Sequence, residues 1–94
     1  MMFADAHTFV TYDLLFWMRR TDPAVINRGN CEEWAERMAL WVGGCAVWLD
    51  TLIDVDEFSV DDMPNIAHCV LEWDGRYYDS EHPNGVDDIL ELAR

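Results

Sequence analysis

Between Ala6 and Arg20 the apolar residues Phe9, Val10, Leu14, Trp17 and Met18 recur close to every 3.6 positions. That spacing predicts a helix over 6–20 that ends before Asp22-Pro23. Residues 24–30 follow as a short polar connection. A second apolar stripe, Trp34, Met38, Trp41 and Val42, predicts a helix with Asn30 as N-cap, Glu33 completing a capping box, and Gly43-Gly44 as its stop. Beyond it the pattern is mixed, and a strand is favoured around Ala46–Ile53. Residues 54–64 are acidic and turn-rich, with Asp54, Asp56, Glu57, Asp61 and Asp62 in one run. From Ile66 to Trp73 the alternation becomes two-residue and ends in Asp74-Gly75, the strongest short hairpin signal, so that Arg76–Asp79 returns as a second strand. Pro83, Asn84 and Gly85 break the chain again, and 86–93 has the composition of a final helical turn or two. Helix-period runs followed by alternating strands predict a single α+β domain over 1–94, with the N-terminal helices packed on a small antiparallel sheet.

Composition narrows the functional classes. Nineteen acids against six bases leave a net charge of −13. A surface of that sign repels nucleic acid and anionic membranes, so direct binding to either is not expected. No stretch has the length and apolarity of a membrane span, and the first residues lack the basic start of a secretory leader. Three cysteines without a C-x-x-C pair argue against a disulfide framework. A soluble protein of a reducing cytoplasm is the expectation.

One cysteine has an unusual address. In NRGNCEEWAERMALWVGG, Cys31 stands at the first turn of the predicted helix, where the positive end of the helix dipole favours a thiolate. A nucleophilic thiol also needs a base and a group that orients the base. His7, on the first helix, and His82, in a Pro-bounded turn, read as surface residues. His68 sits inside the apolar run NIAHCVLEW, where a histidine needs a reason. With Asp74 and Gly75 as a two-residue loop, Trp73 faces Arg76, Val70 faces Asp79 and His68 faces Glu81. His68, Val70, Asp79 and Glu81 then share one side of the hairpin, and Asp79 is the diagonal neighbour of His68 at roughly 7 Å. Either Asp79 or Glu81 is placed to accept the imidazole N–H. Cys69 and Leu71 point to the opposite side, into the core, and Cys45 also reads as buried. A metal site is not expected: Cys69 and His68 diverge, no ligand pair has zinc spacing, and the acidic run lacks the spaced pattern of a calcium loop. No cofactor is expected either.

These segments resemble the papain-like cysteine enzymes, above all their transglutaminase-like branch. NRGNCEEWAERMAL is similar to the helix that opens with G-x-C, and HCVLEWDGRYYDSEHPNGV to the two strands that follow. There a histidine opens one strand, a D-G turn comes next, and an aspartate closes the second strand before a Pro/Gly break. Small phage and bacterial proteins carry similar H-x-V…DGRYYD segments. The resemblance spans about 27–86 and implies a minimal papain-like fold with Cys31 as nucleophile, His68 as base and Asp79 as orienting acid. The family's glutamine ahead of the cysteine has no counterpart, so Asn27, Asn30 or the backbone N–H of Cys31 would have to face the oxyanion. The implied activity is that of a cysteine hydrolase or acyltransferase acting on an amide or thioester of a protein or peptide substrate. The alternative from charge alone is a non-catalytic acidic inhibitor. It would mimic nucleic acid toward a basic host protein such as a defence nuclease complex, in a bacterial host cytoplasm if phage-encoded.

Overall fold

A computed structural model describes residues 2–52 and 68–93. Helix α1 (Phe3–Met18) is followed by a single turn, α2 (Ala24–Asn27), and by α3 (Cys31–Val42). Strand β1 (Cys45–Trp48) runs directly into a turn of helix, α4 (Leu49–Leu52). Strands β2 (Cys69–Trp73) and β3 (Arg76–Tyr78) form the hairpin, and a 3₁₀ turn, Ile89–Ala93, closes the chain. The sheet is antiparallel in the order β1-β2-β3, with α1 and α3 packed on one face.

The hairpin has the expected register, with Trp73 opposite Arg76 and Leu71 opposite Tyr78. Asp74 and Gly75 both take positive φ, 51° and 78°, which is what a two-residue turn matched to strand twist requires. The ladder stops at Leu71–Tyr78, so the expected Val70–Asp79 pair is not formed as a ladder pair, and Asp79 lies just past β3. Gly44 allows β1 to pass close to β2: a Cβ there would stand 2.5 Å from the Glu72 carbonyl oxygen. Gly43 caps α3 in the left-handed region at φ 87°, and the Trp73 indole N–H donates to the Val42 carbonyl at 3.0 Å. That bond satisfies one of the carbonyls a helix end leaves open.

The main core lies between α1, α3 and the sheet. Trp34, Met38, Leu15, Val10, Cys69 and Leu71 are buried there, and the Trp34 indole N–H donates to Thr11 Oγ1 at 3.0 Å. A smaller cluster of Leu49, Val70 and Leu92 covers the opposite face of the sheet.

Several expectations are corrected. The buried face of α1 is Ala6, His7, Val10, Thr11, Leu14 and Leu15, whereas Phe9 and Trp17 are exposed. Apolar residues occur on both sides of this helix, so periodicity alone could not choose the inward one. Trp41 is likewise exposed and packs edge-on against Phe9, with ring centroids 5.5 Å apart. Asn30 occupies the N-cap position of α3, but its side chain makes no capping bond. The connection over 24–30 contains a helical turn. The strand expected over 46–53 ends at Trp48, and Cys45 is exposed at the sheet edge rather than buried. Val86 forms a bridge with Tyr77 instead of starting a helix. The acidic run 54–62 lies outside the described residues. Among those described, no helix is long and apolar enough to cross a membrane.

Candidate functional site

Three chain segments converge where α3 begins. Cys31 is the first residue of α3, His68 immediately precedes β2, and Asp79 immediately follows β3. All three are buried. Strict strand alternation would carry His68 and Asp79 to the side of the sheet away from Cys69, Leu71 and α3. Both stand one step beyond the paired ladder, where alternation no longer dictates direction.

His68 Nε2 donates to Asp79 Oδ2 at 3.1 Å, and the side chains are only 7% and 3% exposed. Its other nitrogen, Nδ1, has no hydrogen-bond partner, which is true of no other buried side-chain N or O among the described residues. Cys31 lies close enough to His68 for each group to move the other's proton affinity. With Nε2 committed to Asp79, Nδ1 carries the lone pair left for the thiol. The backbone N–H of Cys69, the residue after His68, donates to Cys31 Sγ at 3.4 Å. Sequence spacing gave no hint of that last contact, because a backbone donor leaves no mark on residue type.

The electrostatics follow from these contacts. Burial pushes the Cys31 thiol up, but it is outweighed by the neighbouring His68 ring and its charge and by the Cys69 and Glu32 N–H groups, leaving the thiol below its ordinary value. Burial pushes His68 down, yet the hydrogen bond and charge of Asp79 and the neighbouring Cys31 sulfur carry it up to about 9. Burial acts against the Asp79 carboxylate too. The hydrogen bonds and charges of His68 and His82 nevertheless hold it below the usual carboxylate range. Each shift runs in the direction of a thiolate–imidazolium–carboxylate chain. Cys69 goes the other way: burial, with the nearby charges of Cys31, Glu32 and Glu36, pushes it up to about 12.

His7 is not the surface residue expected, and His82, which does reach the surface, is also tied to the site. His7 is buried, its Nε2 donates to the Asp79 carbonyl at 2.8 Å, and its ring meets Trp34 edge-on at 5.4 Å. Burial lowers its pKa, against the hydrogen bond and charge of Asp79. His82 is half-exposed and donates from Nδ1 to Asp79 Oδ1 at 2.6 Å. Every histidine of the chain thus touches Asp79. The three-residue step from Asp79 to His82 was the available signal for one of these contacts; His7, 72 residues away, had none.

Glu81 does not reach His68. Its carboxylate accepts from Asn27 Nδ2 at 2.7 Å, and its backbone N–H donates to Asp79 Oδ1 at 2.9 Å. The Ser80 hydroxyl lies between the Pro23 carbonyl, at 2.8 Å, and Asn27 Oδ1, at 3.0 Å. Asn27 therefore ties α2 to the segment after β3 and is committed there rather than turned to an oxyanion. Among the described residues, Trp34 is the first of α3 whose N–H finds a backbone acceptor, the Asn30 carbonyl, so the N–H groups of the first turn are the donors that face this end of the helix. No group of three or more potential metal ligands occurs among the described residues. Comparison of the chain with protein-family models, curated proteins and solved structures finds no match.

Proposed function

We propose that the protein is a cysteine hydrolase or acyltransferase of minimal papain-like, transglutaminase-like architecture, acting on an amide or thioester through Cys31, His68 and Asp79. The observation that carries this reading is the buried His68, bonded to Asp79 through Nε2, left with an unpartnered Nδ1, and followed directly by Cys69, whose N–H reaches the helix-end thiol. A histidine retained only for packing would have both nitrogens satisfied, since an orphaned buried polar atom costs about 1–3 kcal/mol.

In the proposed reaction His68 Nδ1 holds the proton it has taken from the Cys31 thiol, and the Cys31 Sγ thiolate attacks the acyl carbon. Asp79 keeps the imidazole in the tautomer that presents a lone pair to sulfur and stabilises the imidazolium that forms. The tetrahedral oxyanion is met by the backbone N–H groups that open α3. His68 returns its proton to the leaving amine or thiol, and a thioester remains on Cys31. Water or an acceptor amine, deprotonated by the same imidazole, then releases the acyl group.

An activated ester tests this without knowledge of the substrate. With p-nitrophenyl acetate, mass spectrometry of the digested protein should find the acetyl group on the Cys31 peptide, and neither Cys31→Ala nor His68→Ala should accumulate it there. Acetylation spread evenly over Cys31 and exposed Cys45, and indifferent to His68, would sink the catalytic reading and leave the acidic inhibitor.

A further inference from the structure

The Asp79 carboxylate has two oxygens with different tasks. Oδ2 serves His68, while Oδ1 accepts from His82 Nδ1 at 2.6 Å and from the Glu81 N–H at 2.9 Å. We propose that His82 is a positioning residue of the Cys31 site: it locks Asp79 through Oδ1 so that Oδ2 stays aimed at His68. The inference rests on the reading of Cys31 as nucleophile.

The geometry favours a designed hold over a chance surface contact. Asp79 is 2% exposed, and a carboxylate so deeply buried needs donors to stay ionised. Burial drives its proton affinity up, and His82 is one of the two side chains that oppose it. His82 Nδ1–H donates to Oδ1 whether the ring is neutral or charged, so the lock does not depend on the charge of the ring. Asp79 faces it directly, His68 stands behind Asp79 from the β2 side, and His7 of α1 reaches the Asp79 carbonyl. Glu81 is turned to Asn27 of α2. Without His82, Oδ1 keeps one backbone donor among the described residues, the Glu81 N–H, and the carboxylate becomes freer to rotate and easier to protonate. Both changes weaken the hold on His68, and through it the thiolate of Cys31.

His82→Ala and His82→Asn separate a positioning role from a merely structural one, because the asparagine amide can take the place of Nδ1–H. The folded variants are compared by the pH profile of Cys31 alkylation with iodoacetamide and by the proton–nitrogen NMR titration of His68. His82→Ala should slow Cys31 alkylation at pH 7 roughly tenfold, about the rate equivalent of one hydrogen bond to a charged group. Its Cys31 profile should move to higher pH and the His68 titration to lower pH, and His82→Asn should recover most of both. An unchanged His68 titration in His82→Ala overturns the proposal, as does an asparagine variant as impaired as the alanine one. If wild-type Cys31 proves no more reactive than Cys45, the catalytic reading fails while the His68 titration still decides whether His82 governs Asp79.

Discussion

Replacing Asp79 by asparagine removes the charge on which His68 depends while keeping the size of the side chain. In the wild type His68 rises from 6.5 to about 9, and Asp79 supplies the larger share of the upward pull, ahead of Cys31. A rise of about 2.5 at about 1.36 kcal/mol per pH unit favours the imidazolium by on the order of 3 kcal/mol. Both side chains are almost fully buried, so solvent screening reduces that figure little. With the carboxylate gone, burial pulls the imidazole down against Cys31 alone, and His68 should titrate well below 9. The assay is an NMR titration of the His68 ring in Asp79→Asn against wild type. A variant still titrating near 9 would refute the assignment of Asp79 as the source of the shift. Stability gives a second readout, with a definite sign. A raised folded pKa contributes stability that is fully present below pH 6.5 and is lost as pH climbs through about 9. The depressed Cys31 acts oppositely, stabilising above its ordinary 9.0 and losing that contribution as pH falls. Urea unfolding in a Cys31→Ala background removes this offset. Stability there should fall from pH 6.5 as pH rises through the folded His68 pKa, and adding Asp79→Asn should flatten the slope.

Other outcomes follow from the same contacts. Iodoacetamide titration should place the Cys31 midpoint below the ordinary 9.0, with Cys69 unlabelled in the folded protein; a Cys31 midpoint at or above 9.0 would contradict the electrostatics described. Glu81→Gln should change the pH profile of Cys31 alkylation little, because Glu81 pairs with Asn27 and meets Asp79 only through its backbone. Gly85→Ala should destabilise by about 1–3 kcal/mol in urea unfolding, since Gly85 has φ +73° and a Cβ there would stand 2.6 Å from the Tyr78 ring.

Residues with a local signature were legible from sequence. The Asp74-Gly75 turn fixes the hairpin register, and the stop at Gly43 fixes the end of α3, because both depend on backbone conformations few residues adopt. The pairing of His68 with Asp79 was legible too, although it arises just beyond the ladder rather than within it. What escaped was long-range or invisible to residue type. His7 meets Asp79 across 72 positions, the Cys69 N–H reaches Cys31 through backbone alone, and Asn27 and Glu81 satisfy each other. The inward face of α1 escaped for another reason: a helix apolar on both sides has no preferred face until a partner covers one, and here α3 covers Val10 and Leu14 while Phe9, Tyr12 and Phe16 stay exposed.

The two sulfurs on either side of the Cys69 N–H bond to Cys31 Sγ are in opposite states: His68 and that N–H ease Cys31 toward thiolate, while burial and nearby negative charge keep Cys69 a thiol. Unfolding returns both to ordinary thiols and erases the contrast. Below neutral pH, denaturation should therefore lower the thiolate share of Cys31 while raising that of Cys69. The two cysteines form an internal pair of reporters with opposite sign. A partly opened state that has released the Asp79 segment but kept the sheet would silence Cys31 without waking Cys69, and so would be told apart from both the native and the unfolded chain.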